Sequence, residues 1–277
     1  MDLRSLGIGS GGTPNYEYVG ARVRARKAKL FDEDDYRKLV RMSPNEIARF
    51  MEENEYGKEM NRLGARHEGV DLIEYALYDN MSRNFSDIVR WSEGSLHDTV
   101  VDYLRSYDAW NIKTVLRGVY TGATPDEIRA DLIPAGELDK EFVEGLAERD
   151  EVKTVVEELS KTPFGDALNE ALRDFEDQGV LLPLENSVDR TFYEGLLRGE
   201  REGAQGPEGV YQEFLRAEID ILNVRNALRA AGSEQVDVGE YYIDGGKLFT
   251  AEELRRYVGN REELVNALRE SEYGDDL

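Results

Sequence analysis

Asp108-Ala-Trp-Asn-Ile-Lys-Thr-Val-Leu-Arg-Gly118 decides how the rest of this chain is read, because a second version of it, Asp220-Ile-Leu-Asn-Val-Arg-Asn-Ala-Leu-Arg-Ala230, follows downstream. Asp, Asn, Leu and Arg recur in register as Asp108/Asp220, Asn111/Asn223, Leu116/Leu228 and Arg117/Arg229, and a basic residue recurs at Lys113/Arg225. The apolar positions Ile112, Val115, Leu116 and Val119 match Val224, Ala227, Leu228 and Ala231. That i, i+3, i+4, i+7 spacing lines one face of a helix. What repeats is a core-facing helix with a fixed polar flank, so the chain reads as a tandem of similar helical units.

Fainter echoes mark where each unit opens. Leu138 to Leu168, after Ile133-Pro-Ala-Gly136 and ending in Phe164-Gly-Asp-Ala-Leu168, resembles Leu248 to Leu277, after Ile243-Asp-Gly-Gly246 and ending in Tyr273-Gly-Asp-Asp-Leu277. An earlier version runs from Leu30 through Asp35-Tyr-Arg-Lys-Leu39 to Tyr56-Gly57. Three unit openings against two repeat helices predict a tail over 1–14, a first unit over 15–132, a second over 133–235, and the start of an unfinished third over 236–277. The apolar residues Leu254, Tyr257, Val258, Leu264, Val265 and Leu268 would then lack a partner helix. They are expected either to stand exposed or to fold back onto the second unit.

Asp and Glu number 58 against 35 Lys and Arg, a formal net charge of −23. A field of that sign repels phosphates, which argues against a nucleic-acid partner. The excess acid is spread along the whole chain, and concentrated salt, with a Debye length of about 3 Å at molar strength, would hide such charges from one another. A salt-accumulating cytoplasm is the expected setting. There is no cysteine, hence no disulfide, thiolate metal site or thiol nucleophile. No run approaches the ~20 apolar residues of a spanning helix, and the N-terminus lacks the basic-then-apolar pattern of a secretory signal.

Along the chain, Asn15 stands where a helix cap is expected, followed by a basic helix from Tyr16 to Leu30 holding Arg22, Arg24, Arg26, Lys27 and Lys29. Its cations either pair with nearby acids or contact an acidic partner or lipid head groups, with Arg22, Arg24 and Arg26 as the candidate contact residues. Ser43-Pro-Asn-Glu46 and Thr124-Pro-Asp-Glu127 have the cap-Pro-Glu order that starts a helix. Long helical stretches are predicted over Gly57–Tyr78, Asn84–Trp91 and Ser95–Tyr120, then from Thr162-Pro-Phe-Gly165 to Asp177, over Asn186–Arg198, and over Gly209–Ala231 after a loop at Gly203–Pro207. Only Tyr241-Tyr-Ile243 is strand-like, so the fold class is all-α.

No set of residues suited to catalysis or metal binding stands out. Gly7-Ile-Gly-Ser-Gly-Gly12 has glycines at nucleotide-loop spacing, but no strand precedes it and no Lys-Ser/Thr follows, so it reads as flexible tail. His67-Glu68 lacks the second histidine that a zinc helix places four residues on. Acid pairs such as Asp34-Asp35, Glu52-Glu53, Glu252-Glu253 and Asp275-Asp276 do not face each other on a helix and form no carboxylate dyad. No cofactor, metal or catalytic set is expected. Trp91 and Trp110 read as core anchors, and Trp110→Ala would cost about 3–5 kcal/mol if that ring is buried.

Four stretches together carry a resemblance: Asn15-Tyr-Glu-Tyr-Val-Gly-Ala-Arg-Val-Arg-Ala-Arg26, Trp110-Asn-Ile-Lys-Thr-Val-Leu-Arg-Gly118, Leu132-Ile-Pro-Ala-Gly136 and Asp220 to Arg229. From about Asn15 to the last residue the chain resembles the C subunits of archaeal A-type ATP synthases, the family that also includes the d subunits of V-type ATPases. The resemblance implies a non-catalytic adaptor, a funnel of three helical-bundle units about a pseudo-threefold axis. Such an adaptor would sit on the cytoplasmic face of the membrane, on the mouth of the proteolipid ring, and receive the central stalk with its D and F subunits. It would couple proton- or sodium-driven rotation to ATP synthesis and touch the membrane only peripherally, through the complex. Asn111, Lys113, Arg117, Asn223, Arg225 and Arg229 are the candidate interface or structural-repeat residues. A generic acidic helical-repeat scaffold for another protein partner is the competing reading.

Overall fold

The computed structural model describes residues 12–197, 206–230, 238–258, 260–271 and 273–274. Among them the chain is helical and holds no strand, the all-α class that its periodicity predicts. Most of the Gly-rich tail, Arg198, the 203–205 part of the loop, Ala231, the side chain of Val258 and the Asp275-Asp276 pair lie outside the described residues.

The chain divides into two compact units between Val155 and Val156. The first holds α1 (Tyr16–Lys27), α2 (Glu33–Leu39), α3 (Pro44–Glu52), α4 (Gly57–Leu63), α5 (Gly69–Trp91), α6 (Gly94–Leu104), α7 (Ser106–Thr121), α8 (Pro125–Ala130) and α9 (Lys140–Leu146). The short α10 (Val152–Leu159) crosses the boundary. The second holds α11 (Gly165–Gln178), α12 (Leu182–Leu197), α13 (Pro207–Ala230), a 3-10 turn at Val238–Tyr241, α14 (Ala251–Val258) and α15 (Arg261–Arg269).

Local chemistry sets several of these boundaries. Before α3 and α8 the expected starts are present: Glu46 accepts from the backbone N and Oγ of Ser43, and Glu127 does the same for Thr124, satisfying donors that a helix start leaves open. The stretch expected to run from Gly57 to Tyr78 breaks after Leu63, and the backbone re-enters a helix at Gly69 with φ +63°, a left-handed step that glycine takes without steric cost. Past that break α5 runs unbroken to Trp91, so Asn84 lies in its interior. Ser95–Tyr120 likewise divides, at Arg105, into α6 and α7. Asn15 precedes α1 but does not cap it with its side chain. Its amide instead donates to Trp91 O and its carbonyl oxygen accepts from Glu93 N, fastening α1 to the end of α5.

Each unit buries its own clusters. Met51, Tyr56, Met60 and Ala76 pack where α3, α4 and α5 meet, and Val89, Val101 and Leu104 where α5 meets α6. In the second unit Ile219, Leu222 and Ile243 form one cluster, and Ala227, Val238, Leu254 and Leu264 another. Leu254 and Leu264 are fully buried, with Tyr257 and Leu268 half-buried beside them, so the terminal stripes fold back onto α13 and the 3-10 turn. Burial of a leucine of this kind stabilises by about 2 kcal/mol.

Candidate functional site: two linker clasps

The repeated Asp and Asn lie one turn apart on the same helical face, and each pair does the same work. Asn111, 4% exposed on α7, donates its amide to Ile133 O at 2.8 Å and accepts from Ile133 N at 2.9 Å. Asn223, 3% exposed on α13, repeats both bonds with Ile243 at 2.8 Å each. One primary amide thus satisfies both backbone groups of one residue, the pairing a neighbouring strand would otherwise supply.

The aspartates finish the grip. Asp108 accepts from Glu137 N and Leu138 N, and Asp220 accepts from Lys247 N and Leu248 N. Each carboxylate therefore holds two consecutive amides just before the next helical pair. The backbone must approach closely for this, which explains two glycines. A methyl group on Gly136 would fall on the Asp108 carboxylate, and one on Gly246 would fall on that of Asp220. Ile133-Pro-Ala-Gly136 and Ile243-Asp-Gly-Gly246 are equivalent segments, threaded through equivalent clasps.

The charges around the two clasps differ. Burial pushes the Asp108 carboxyl up to about 6, against the pull of the Leu138 and Glu137 amides; the Glu137 carboxylate raises it further and Arg105 lowers it. Arg105 in turn holds Glu137 at 2.6 Å. In the second unit Arg225 and Arg229, i and i+4 on α13, face Asp189 at 3.2 Å and Glu185 at 3.3 Å, carboxylates i and i−4 on α12. Both acids are largely buried, so the pairs lock α12 to α13. Lys113 and Arg117 hold the matching positions on α7 and are half-buried there.

The model of the "ATP synthase (C/AC39) subunit" family matches residues 19–277. The chain belongs to that family. It is 53% identical to the C subunit of the A-type ATP synthase of Halorubrum lacusprofundi, over 96% of this chain and 76% of the relative. Identity to the same-named protein of Haloferax volcanii is 52%, with the same coverage, and to that of Methanococcoides burtonii 34%, over 97% of this chain and 74% of the relative. As a C/AC39 member the chain is a non-catalytic subunit of a rotary ATP synthase, and relatives from halophilic archaea accompany the acidic composition.

Within this C/AC39 chain the basic helix is well tied. Arg26 pairs with Asp87 at 2.6 Å, and Arg22 stacks between the rings of Tyr18 and Trp91 at 4.8 and 4.7 Å. Arg24 stands exposed. Trp91, half-buried, is therefore a platform for cations more than a core anchor. The core placement expected for Trp110 is wrong: the residue is 50% exposed, because α7 turns its Asp108/Asn111/Ile112/Val115 face inward and leaves Trp110 on the flank.

Several residues that matter are hard to find in the sequence. Glu185 and Asp189 precede Arg225 and Arg229 by some forty positions, with only their i, i+4 spacing as a signal. Asn186 and Asn226 both donate to Tyr241 O, and nothing local marks them. Gly136 and Gly246 had the best available signal, since each stands at the same place behind a repeated Ile.

Proposed function

We propose that this protein is the rotor adaptor of its complex, joining the membrane proteolipid ring to the D and F subunits of the central stalk so that ring and stalk turn together during proton- or sodium-driven ATP synthesis. The observation that carries this reading is the pair of clasps. A part that transmits torque must not yield at its linkers, and here each linker is fastened by four hydrogen bonds from one helix. Packed helical interiors of low compressibility serve the same end. The units would repeat about a pseudo-threefold axis as a funnel, the third being the one that opens near residue 236. No described helix is long and apolar enough to cross a membrane, which fits peripheral attachment on the cytoplasmic face.

An exposed apolar stripe on α13, Val210, Phe214 and Ile221 at i, i+4 and i+11, supports a role in assembly. The test is retention of the tagged chain, in molar salt, on purified D–F stalk and on detergent-solubilised ring. Binding to both is expected, and binding to neither would overturn the adaptor reading.

A further inference from the structure

Basic side chains gather on one helix of this acidic chain. From Tyr16 to Leu30, α1 and its C-terminal turn carry Arg22, Arg24, Arg26, Lys27 and Lys29 against a single acid, Glu17. The carboxylates that reach these cations are shared with arginines of α5. Asp87 holds both Arg26 and Arg90, and Glu55 holds both Lys29 and Arg83, the last also bound to Glu59. With Glu93 counted at the start of the helix, where its backbone meets Asn15, seven cations stand against five carboxylates. Arg22, Arg24 and Lys27 are exposed and form no ion pair among the described residues.

The geometry of the exposed side suits a second helix. Val19 is buried and Val23 half-buried on the side of α1 that meets the body of the unit. On the other side Tyr18, Ala21, Ala25 and Ala28 follow at i, i+3, i+7 and i+10, all exposed. In a pair of helices such positions form the seam, and Arg22, Arg24 and Lys29 occupy the places beside it that choose a partner by charge. Arg22 is held ready: its guanidinium lies over the rings of Tyr18 and Trp91 at 4.8 and 4.7 Å, and its N–H groups donate to no acceptor among the described residues. Little side-chain freedom is then left to lose when a carboxylate arrives.

We infer that the outer face of α1 docks an acidic helix of a partner protein, whose Asp and Glu side chains flank an apolar stripe and pair with Arg22, Arg24 and Lys29. A bilayer surface is the poorer match, because helices that lie in lipid insert Leu, Phe or Trp, and this seam offers three alanines and a tyrosine. The site does not rest on the adaptor reading, since its chemistry names no component of the rotor.

The test is calorimetric titration of the whole chain, in the salt that keeps it folded, with a three-heptad peptide carrying Glu beside an Ile/Leu stripe and with its Gln counterpart. The Glu peptide is expected to bind about tenfold more tightly, and the exposed pair Arg22→Gln/Arg24→Gln should bring the two peptides within about twofold of each other. Equal affinity of the parent chain for the two peptides, no saturable binding of either, or a preference that survives the double substitution would overturn the proposal. Phosphatidylglycerol vesicles that bind the parent as tightly as the Glu peptide does, and the variant weakly, would overturn it too, by making the face a lipid site.

Discussion

The two clasps are built from the same residues in the same order, yet they are not equally secured. Around the second linker further side chains converge. Asn186 and Asn226 donate to Tyr241 O, Arg190 reaches Glu240 O and Tyr242 O, and the Tyr273 hydroxyl donates to Asp220 at 3.3 Å. In the first, Ser82 donates to Pro134 O, Asp108 is held short of easy ionisation by its burial, and a cavity lies against the linker. The repeat therefore preserves the grip and varies its backing.

The sharpest way to break the comparison is to remove the amide of each clasp. Asn111→Ala strands the buried N–H of Ile133, whose C=O keeps the Ala135 N–H at 2.8 Å, and is expected to cost about 3 kcal/mol in denaturant unfolding. Asn223→Ala removes the same two bonds, but with neighbouring carbonyls still tied the expected loss is nearer ~2 kcal/mol. Equal losses would show that the extra donors around the second linker do not share its load.

Next comes pH. The Asp108 carboxyl holds its proton more tightly in the folded chain, at about 6, than at its ordinary value of 3.8. Its contribution to stability is thus present in full below 3.8 and is lost as the pH rises through about 6. A gap of that size corresponds to roughly 3 kcal/mol as an upper figure. Unfolding midpoints of the parent and of Asp108→Asn, followed from pH 4 to pH 7 at constant high salt, should differ in slope over that window. Parallel curves would remove Asp108 as the responsive group.

Tyr273→Phe makes the second clasp resemble the first at one point, since Phe164 is the residue at the corresponding place in the earlier repeat. Loss of a single hydrogen bond to a carboxylate should cost about 1 kcal/mol. The smallest effect is expected at Trp110. With the residue half exposed, Trp110→Ala should lower stability by under about 1 kcal/mol, well below the cost of a buried indole. A loss of several kcal/mol would mean that the ring is covered in solution.

The helices and the repeat were legible because both are written in short-range order. A period of three and four residues names a buried face, and Ser-Pro-Asn-Glu or Thr-Pro-Asp-Glu names a helix start, whatever the rest of the chain does. The recurrence of Asp, Asn, Leu and Arg in register marked the clasp helices without saying what they clasp. Asn15 shows the limit. Its position suggested a cap, but a polar side chain takes the best buried partner in reach, and only packing brings the end of α5 to it. Trp110 fails for a related reason: one helix has two flanks beside any apolar stripe, and neighbours decide which is covered.

By itself, then, the sequence determined an acidic, all-helical chain of a known family with one helix written twice, because composition and periodicity are properties of residues and their near neighbours. What only the tertiary structure decided is the partner of each repeated polar group. Asp108 meets Leu138, Asn223 meets Ile243 and Arg229 meets Glu185 across twenty to forty-four residues of chain. Such pairs form when burial strips water from a donor or acceptor and the nearest replacement, however distant in sequence, must take its place.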